Sequence, residues 1–146
     1  MILILGGTTE GRMAVKVADE AGSLYYYATR GSLQQIVCKY GIHVTGGMDL
    51  PYMIEFCRSN SIRLLIDAAH PFAMELHRTV AATSEALQLP VVRVERTYPE
   101  YTTDLIWCDD YEDAMKKLKE SGITRLLALT GVQTIGKLRN YWKENA

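Results

Sequence analysis

Short apolar runs alternate with segments of helical periodicity along the chain. The first run, Met1–Leu5, is continuously apolar and stops at Gly6 and Gly7, which is typical of a strand buried on both faces of a parallel sheet. Apolar residues then recur at helical spacing over residues 13–21, and Gly22 supplies a stop signal. The amino terminus is therefore predicted to form a strand, a loop and a helix.

The same alternation continues to the end of the chain. Asp49 is the expected N-cap of the second helix, and Pro51 suits its first turn. The other predicted helices are Met74–Leu87, Tyr111–Glu120 and a helix near Ile135–Trp142. The other predicted strands are Leu24–Ala28, Ile42–Thr45, Ile62–Ile66, Val91–Val94, Leu105–Cys108 and Arg125–Leu129. This order predicts an α/β fold: a Rossmann-like, doubly wound, mostly parallel sheet with helices on both faces and ligands at the carboxyl ends of its strands.

The first strand-to-helix loop is a candidate phosphate site, because backbone N–H groups and the helix dipole attract anions there. Gly6 and Gly11 match the outer glycines of the G-x-G-x-x-G pattern, and Thr8 replaces the middle one. We expect the hydroxyl of Thr8 or Thr9 to donate to the phosphate instead. A glycine turn needed only for packing is the alternative.

The same loop also resembles the beginning of an ATP-binding P-loop. Arg12 and Met13 stand where that motif requires lysine and a magnesium-binding hydroxyl, so ATP hydrolysis is not predicted. After the second strand, an acidic residue would indicate NAD, but Arg30 and Ser32 stand near that position. A guanidinium binds a 2′-phosphate well, which favours NADPH over NADH; a solvated surface arginine is the alternative.

The segment Asp67–Ala73 follows a buried strand and is the most unusual in the sequence. Asp67 and His70 are expected at the carboxyl end of that strand, and Pro71 favours an extended backbone at His70. His70 is a candidate proton donor or contact for a ligand carboxylate. The alternative is that Asp67 caps the turn and His70 bonds to the backbone.

Two further features leave alternatives open. His77 invites a metal interpretation, but no third ligand accompanies it, so no metal site is predicted. Thr130 and Gly131 follow the last predicted strand and form either a second contact with a small ligand or a tight turn.

Composition limits the classes of partner. Hydrophobic residues make up 48% of the chain and charged residues 23%, which are values of an ordinary globular protein. The 16 basic and 17 acidic residues form no block of one sign, so nucleic acid is not an expected partner. The 3 cysteines lack a CxxC spacing, which favours a reducing cytoplasm. The apolar start is far shorter than the roughly 20 residues of a membrane span, so no membrane is expected.

Three segments together carry a family resemblance: Ile2–Arg12, Asp67–Ala73 and Leu129–Gly131. They resemble the precorrin-6A reductase family, which includes the cobalt-precorrin-6A reductases. In that family the first motif typically reads Gly-Gly-Thr-x-Glu-x-Arg and the second Asp-Ala-Thr-His-Pro-Phe-Ala. Ala69 stands here where the family usually has threonine.

The resemblance implies an oxidoreductase of cobalamin biosynthesis that transfers hydride from NADPH to a tetrapyrrole, precorrin-6A or its cobalt form. It implies His70 and Asp67 as catalytic residues, with His70 as the proton donor. The implied substrate contacts are His70, Phe72, Thr130 and Gly131. The implied cofactor-binding residues are Gly6, Gly7, Thr8, Thr9, Glu10, Arg12, Arg30 and Ser32. Other corrin-pathway enzymes are potential partners.

Family members carry two Rossmann-like domains. We expect residues 1–121 to form the NADPH-binding domain and residues 122–146 to open a second one, so that the chain alone is inactive; a single domain over residues 1–146 is the alternative. An epimerase or short-chain reductase would need Tyr-x-x-x-Lys, but Met115 stands four residues after Tyr111 and Lys116 one position too late. A nucleotide-sensing module would have no need of Asp67–Ala73.

Overall fold

The computed structural model describes residues 1–31, 36–96 and 105–144. The chain divides into two compact units, Met1–Tyr98 and Pro99–Ala146. A compact unit is not in itself a domain that folds alone, so the boundary expected at residue 121 stays a prediction.

The first unit is built around a parallel sheet with the strand order β3-β2-β1-β4-β5. Its strands are β1 (Ile2–Leu5), β2 (Tyr25–Thr29), β3 (Gly41–Thr45), β4 (Leu64–Asp67) and β5 (Val91–Arg93). Its helices are α1 (Thr9–Glu20), α2 (Leu50–Ser59) and α3 (Met74–Leu87). The prediction of a doubly wound parallel α/β sheet is confirmed.

Both faces of the sheet are covered by apolar clusters. On one face, Ile4 and Tyr27 pack against Val15 of α1. On the other face, Leu3 and Leu65 belong to a cluster with residues of α2 and α3. Successive side chains of β1 therefore point into different cores, which is why its sequence is continuously apolar rather than alternating.

Local signals fix where the first helices begin and end. The Thr8 hydroxyl caps α1 by accepting a hydrogen bond from the Gly11 N–H, and Asp49 caps α2 as predicted, accepting from the Tyr52 N–H at 3.0 Å. Gly22 follows α1 with a φ of +63°, the left-handed conformation that glycine adopts without strain.

Among the described residues of the second unit, all the regular elements are helices. These are α4 (Tyr111–Glu120), a 3₁₀ helix (Val132–Leu138) and α5 (Arg139–Glu144). The predicted strands Leu105–Cys108 and Arg125–Leu129 are wrong, since both segments lack strand structure. An apolar run becomes a strand only when a neighbouring strand pairs with its backbone, and no described residue does so here. Accordingly, Leu127 and Leu129 are 81% and 88% exposed.

The first loop lies directly on the ring of Tyr27. A Cβ atom at Gly6 would lie 2.3 Å from Cε2 of Tyr27, and one at Gly11 would lie 2.9 Å from the Cα of Gly6. The Tyr27 hydroxyl accepts a hydrogen bond from the Gly7 N–H at 2.9 Å. Gly6 and Gly11 are therefore required by packing, whatever the loop binds.

We expect Gly6→Ala to lower the free energy of unfolding by about 1–3 kcal/mol, the usual cost of overpacking a closed site. Gly47→Ala is the matched control, because a Cβ atom there meets nothing within 4 Å and the change should stay within about 0.5 kcal/mol. Urea unfolding followed by circular dichroism measures both. Equal losses of unfolding free energy in the two variants would show that contact with Tyr27 is not what requires glycine at position 6.

Candidate functional site

A cleft of about 1130 Å³ opens at the carboxyl end of the sheet in the first unit. It is lined by the loops that follow β1 to β4 and by the first turns of α2 and α3. This is the crevice where the strand order reverses beside β1, the usual ligand site of such sheets. The predicted site residues that line it are Gly6, Gly7, Thr8, Arg30, His70 and Phe72.

The loop after β1 uses most of its polar groups internally. The Thr8 hydroxyl accepts from the Gly11 N–H at 3.0 Å and donates to the Ala68 carbonyl at 2.7 Å. A hydroxyl has one proton, so Thr8 has no side-chain donor left for the phosphate expected from the sequence. In the described part of the chain, the backbone N–H groups of Thr8 and Thr9 have no hydrogen-bond acceptor. They are the donors that the helix N-terminus offers to an anion.

Arg96 neutralises the acidic residue of this loop. Its Nε and Nη2 atoms lie 2.8 and 3.2 Å from the two carboxylate oxygens of Glu10, a bidentate pair between residues 86 positions apart. The guanidinium lowers the pKa of Glu10 from 4.5 to about 2. Glu10 lies in the first turn of α1 and outside the cleft lining. Its pairing removes the repulsion that a bare carboxylate would exert on a phosphate nearby.

Arg30 follows β2 and is exposed at the edge of the cleft. Beside it, the buried Thr29 hydroxyl donates to the Gly31 carbonyl at 2.8 Å and so accepts from Nε2 of His43 at 2.7 Å. These contacts hold the end of β2 and leave the guanidinium as the group available to a ligand there. Ser32 lies outside the described residues.

Asp67 lies at the end of β4, but its carboxylate does not reach the cleft. The side chain is 4% exposed. It accepts hydrogen bonds from Nδ1 of His77 at 2.8 Å and from Nη1 of Arg93 at 3.3 Å. A buried carboxylate needs such partners because it has lost its water.

His70 and Phe72 stand at the cleft surface. Phe72 is 85% exposed and its ring centroid lies 5.3 Å from that of His70. The backbone N–H of Phe72 donates to Nδ1 of His70 at 3.2 Å. Because Nδ1 accepts, a neutral His70 carries its proton on Nε2, which makes that atom a donor.

The remaining predicted residues lie elsewhere. Thr9 and Arg12 are exposed on the first turn of α1, where the Arg12 guanidinium donates to the Thr9 hydroxyl at 3.0 Å. Thr130 and Gly131 are exposed and belong to the second unit, whereas all residues lining the cleft belong to the first. Across the described residues, no cluster of histidine, cysteine or acidic side chains has the arrangement of a metal site. No described helix is long and apolar enough to cross a membrane.

Sequence reasoning missed His77, Arg93 and Arg96 as parts of the site. For Arg93 a signal existed: its strand neighbours β4, and the register places it beside Asp67. An acid at the end of one buried strand and a base at the end of the next are natural partners. The contact between Arg96 and Glu10 had no local signal.

Comparisons with known proteins agree on one family. The whole chain, residues 1–146, matches the family described as "Precorrin-6x reductase CbiJ/CobK". It is 28% identical over 142 residues to a cobalt-precorrin-6A reductase of Priestia megaterium, an alignment that covers 92% of this chain and 54% of that protein. It is 28% identical over 149 residues to a precorrin-6A reductase of Rhodococcus erythropolis, covering 97% and 59% respectively.

A solved structure of a CobK precorrin-6A reductase shares the fold. The TM-score is 0.63 at 22% sequence identity, over 70% of this chain and 41% of that one. The chain thus spans about half the length of the curated relatives it matches.

The ion pair between Glu10 and Arg96 predicts a specific pH dependence. The pKa of Glu10 is lowered in the folded protein, so the pair stabilises the fold above about pH 4.5 and ceases to do so as the pH falls through about 2. Glu10→Gln should therefore unfold at a lower urea concentration than the wild type at pH 6, and the difference should shrink towards pH 2.

Glu20→Gln serves as the control, because the ion pair of Glu20 with Lys16 is exposed and 3.8 Å long. The urea midpoints of the three proteins are compared from pH 6 down to pH 2. A difference between Glu10→Gln and the wild type that stays constant over this range would contradict the assignment.

Proposed function

The chain belongs to the precorrin-6x reductase family CbiJ/CobK, and on that premise we propose that it is the NADPH-binding part of a reductase of cobalamin biosynthesis. The reaction is reduction of precorrin-6A, or of its cobalt form, to the dihydro product; relatives named for these substrates align with almost the whole chain. The observation that carries the proposal is the cleft at the strand-order reversal, with a helix N-terminus at one end and Arg30 at its edge.

The residues of the cleft fit a dinucleotide. Around it, a Cβ atom built on Gly7, Gly31, Gly46 or Gly47 would meet no protein atom within 4 Å, so the backbone of these loops faces open space. A ligand can therefore approach the main chain closely, as a pyrophosphate must.

Charge supports the same assignment. The proposed phosphate donors are the free N–H groups of Thr8 and Thr9 and the guanidinium of Arg12 on the exposed side of the first turn. Gly6 and Gly7 line the cleft, and because their own N–H groups donate to the Ala28 carbonyl and the Tyr27 hydroxyl, they are proposed to bring the phosphate close to the backbone rather than to hydrogen-bond with it. Glu10 contributes by holding Arg96 close to the loop rather than by touching the phosphate.

Arg30 and Ser32 are proposed to bind the adenosine 2′-phosphate. Arg30 stands where an NAD-specific protein would place an acid on the ribose hydroxyls, and a guanidinium forms paired, charge-assisted bonds with a phosphate.

His70 and Phe72 are proposed to face the nicotinamide and the macrocycle. When bound, NADPH supplies the hydride, and the protein supplies orientation and charge. Phe72 presents an exposed ring against which a flat ligand can pack. His70 holds a proton at Nε2, which makes it the proposed donor to the substrate. The proposed role of Asp67 is indirect, because its carboxylate pairs with His77, whose other ring nitrogen contacts the His70 carbonyl.

Thr130 and Gly131 of the second unit remain proposed substrate contacts, and the tetrapyrrole and other corrin-pathway enzymes remain the proposed partners. Because the relatives are nearly twice as long as the segment they share with this chain, we expect turnover to require sequence that those relatives carry and this segment lacks.

We expect NADPH to bind at least about tenfold more tightly than NADH, a preference of about 1.4 kcal/mol that one guanidinium–phosphate contact can supply. Arg30→Ala should weaken the binding of NADPH but not that of NADH, and so reduce the difference in affinity between the two nucleotides. Arg58→Ala is the control, since Arg58 is exposed in the last turn of α2 and outside the cleft lining.

Isothermal titration with both nucleotides measures these affinities. Equal affinities for NADPH and NADH in the wild type would exclude the 2′-phosphate contact. Failure of both nucleotides to bind would contradict the proposed function of the cleft.

A further inference from the structure

Beneath the cleft, three charged or ionisable side chains form a cluster that the proposed chemistry does not use directly. The Asp67 carboxylate lies 2.8 Å from Nδ1 of His77 and 3.3 Å from Nη1 of Arg93. The side chains of Asp67 and His77 are 4% and 9% exposed. Burying such groups is costly unless their partners fix them in place, so the cluster is a rigid element.

The second ring nitrogen of His77 contacts the loop after β4, which lines the cleft. Nε2 lies 3.0 Å from the carbonyl oxygen of His70. A carbonyl oxygen can only accept, so a hydrogen bond here requires a proton on Nε2. An ionised Asp67 can also only accept, so Nδ1 carries a proton as well. The two partners together select a His77 that is protonated on both nitrogens.

The surrounding charges balance this cation. Nη2 of Arg93 lies 3.3 Å from Nε2 of His77; a guanidinium can only donate, so Nε2 cannot hydrogen-bond with both Arg93 and the His70 carbonyl, and the shorter distance of 3.0 Å favours the carbonyl. The Nε atom of Arg93 donates at 2.5 Å to Glu95. Glu95 therefore compensates Arg93, and Asp67 compensates His77. Two acids and two bases share the site, so a protonated His77 beside the guanidinium adds no unbalanced charge.

The contact at the His70 carbonyl restrains the residue that reaches the ligand. Pro71 limits the backbone of His70, and the Phe72 N–H holds its Nδ1 atom. The His70 carbonyl accepts from the Ala73 N–H at 2.8 Å and contacts Nε2 of His77, so both the backbone and the ring of His70 are restrained, and Nε2 remains as its donor.

We propose that His77 is a positioning residue: anchored by Asp67, it holds the His70 carbonyl through Nε2 and thereby presents the Nε2–H of His70 to the cleft as a fixed donor. The use of that donor by a ligand rests on the proposed function, but the positioning itself does not. A merely structural role of His77 would stabilise the fold without selecting the tautomer of His70.

The first test uses the unaltered chain without nucleotide. Nitrogen chemical shifts of the histidine rings, read by NMR on ¹⁵N-labelled protein, report which nitrogens carry protons. We expect Nε2 of His77 to carry a proton in the folded protein, and the neutral form of His70 to be mainly the Nε2–H tautomer. An unprotonated Nε2 on His77 in the folded protein would overturn the proposal without any variant.

Two variants separate the two contacts of His77. The amide nitrogen of His77→Asn replaces Nδ1 and keeps the bond to Asp67, whereas that of His77→Gln replaces Nε2 and keeps the bond to His70. We expect His77→Gln to retain the single tautomer of His70 and His77→Asn to show a mixture of both tautomers. An unchanged tautomer in His77→Asn, or equal mixtures in the two folded variants, would overturn the proposal.

Titration of the unaltered chain with NADPH is carried out in parallel. Because the ring nitrogens are measured without nucleotide, absence of NADPH binding would contradict the proposed function and leave the positioning result intact. Conversely, normal NADPH binding together with an unprotonated Nε2 on His77 would contradict only the positioning proposal.

Discussion

Strand β1 lies at the centre of the sheet, and this position determines where a ligand can bind. It pairs with β2 along one edge and with β4 along the other, and apolar clusters cover both of its faces. At its carboxyl end, the loop that begins with Gly6 borders the cleft. The chain is wound outwards from this strand in both directions, so the loops after β1 and β4 meet there.

The contacts between these loops do more than close the fold. The Thr8 hydroxyl bonds to the Ala68 carbonyl, which ties the loop after β1 to the segment that carries His70. Tyr27 lies beneath the loop after β1, and Arg96 reaches Glu10 from the segment after β5. Side chains that the family resemblance assigns to the ligand are thus partly engaged with the protein. What faces the cleft is mainly backbone, together with a few side chains such as Arg30 and His70. Backbone donors on a rigid loop are well suited to a pyrophosphate, since they need no reorganisation when it binds.

Much of the fold was predictable from sequence because its signals are local. The apolar run of β1, the Asp49 cap and the Gly22 stop each depend on a few neighbouring residues, and the structure agrees with all three. The cleft was predictable for the same reason, as glycines and polar residues end each buried strand. The apolar segments near residues 105–108 and 125–129 were misassigned because a strand also needs a partner, and the partner is not encoded within the segment.

The contacts between side chains of the site could not be predicted from neighbouring residues in the sequence. Glu10 and Arg96 are separated by 86 positions, so nothing in the first motif indicates that its carboxylate is neutralised. Thr8 was expected to offer a hydroxyl to a phosphate, yet its proton is directed at Ala68, a contact that depends on how two loops meet. His77 was considered only as a metal ligand, whereas its two nitrogens join a buried carboxylate to the cleft loop. In each case the missing information was the three-dimensional position of a distant partner.

The central claim is that this chain binds a nicotinamide dinucleotide in the cleft at the end of β1. It is tested most directly by titrating ¹⁵N-labelled chain with NADP⁺ and recording which backbone amides shift. The account predicts that the largest shifts fall on Gly7, Thr8, Thr9 and Arg30, with small shifts in the helices distant from the cleft. Shifts confined to other parts of the chain, or none at saturating nucleotide, would contradict it.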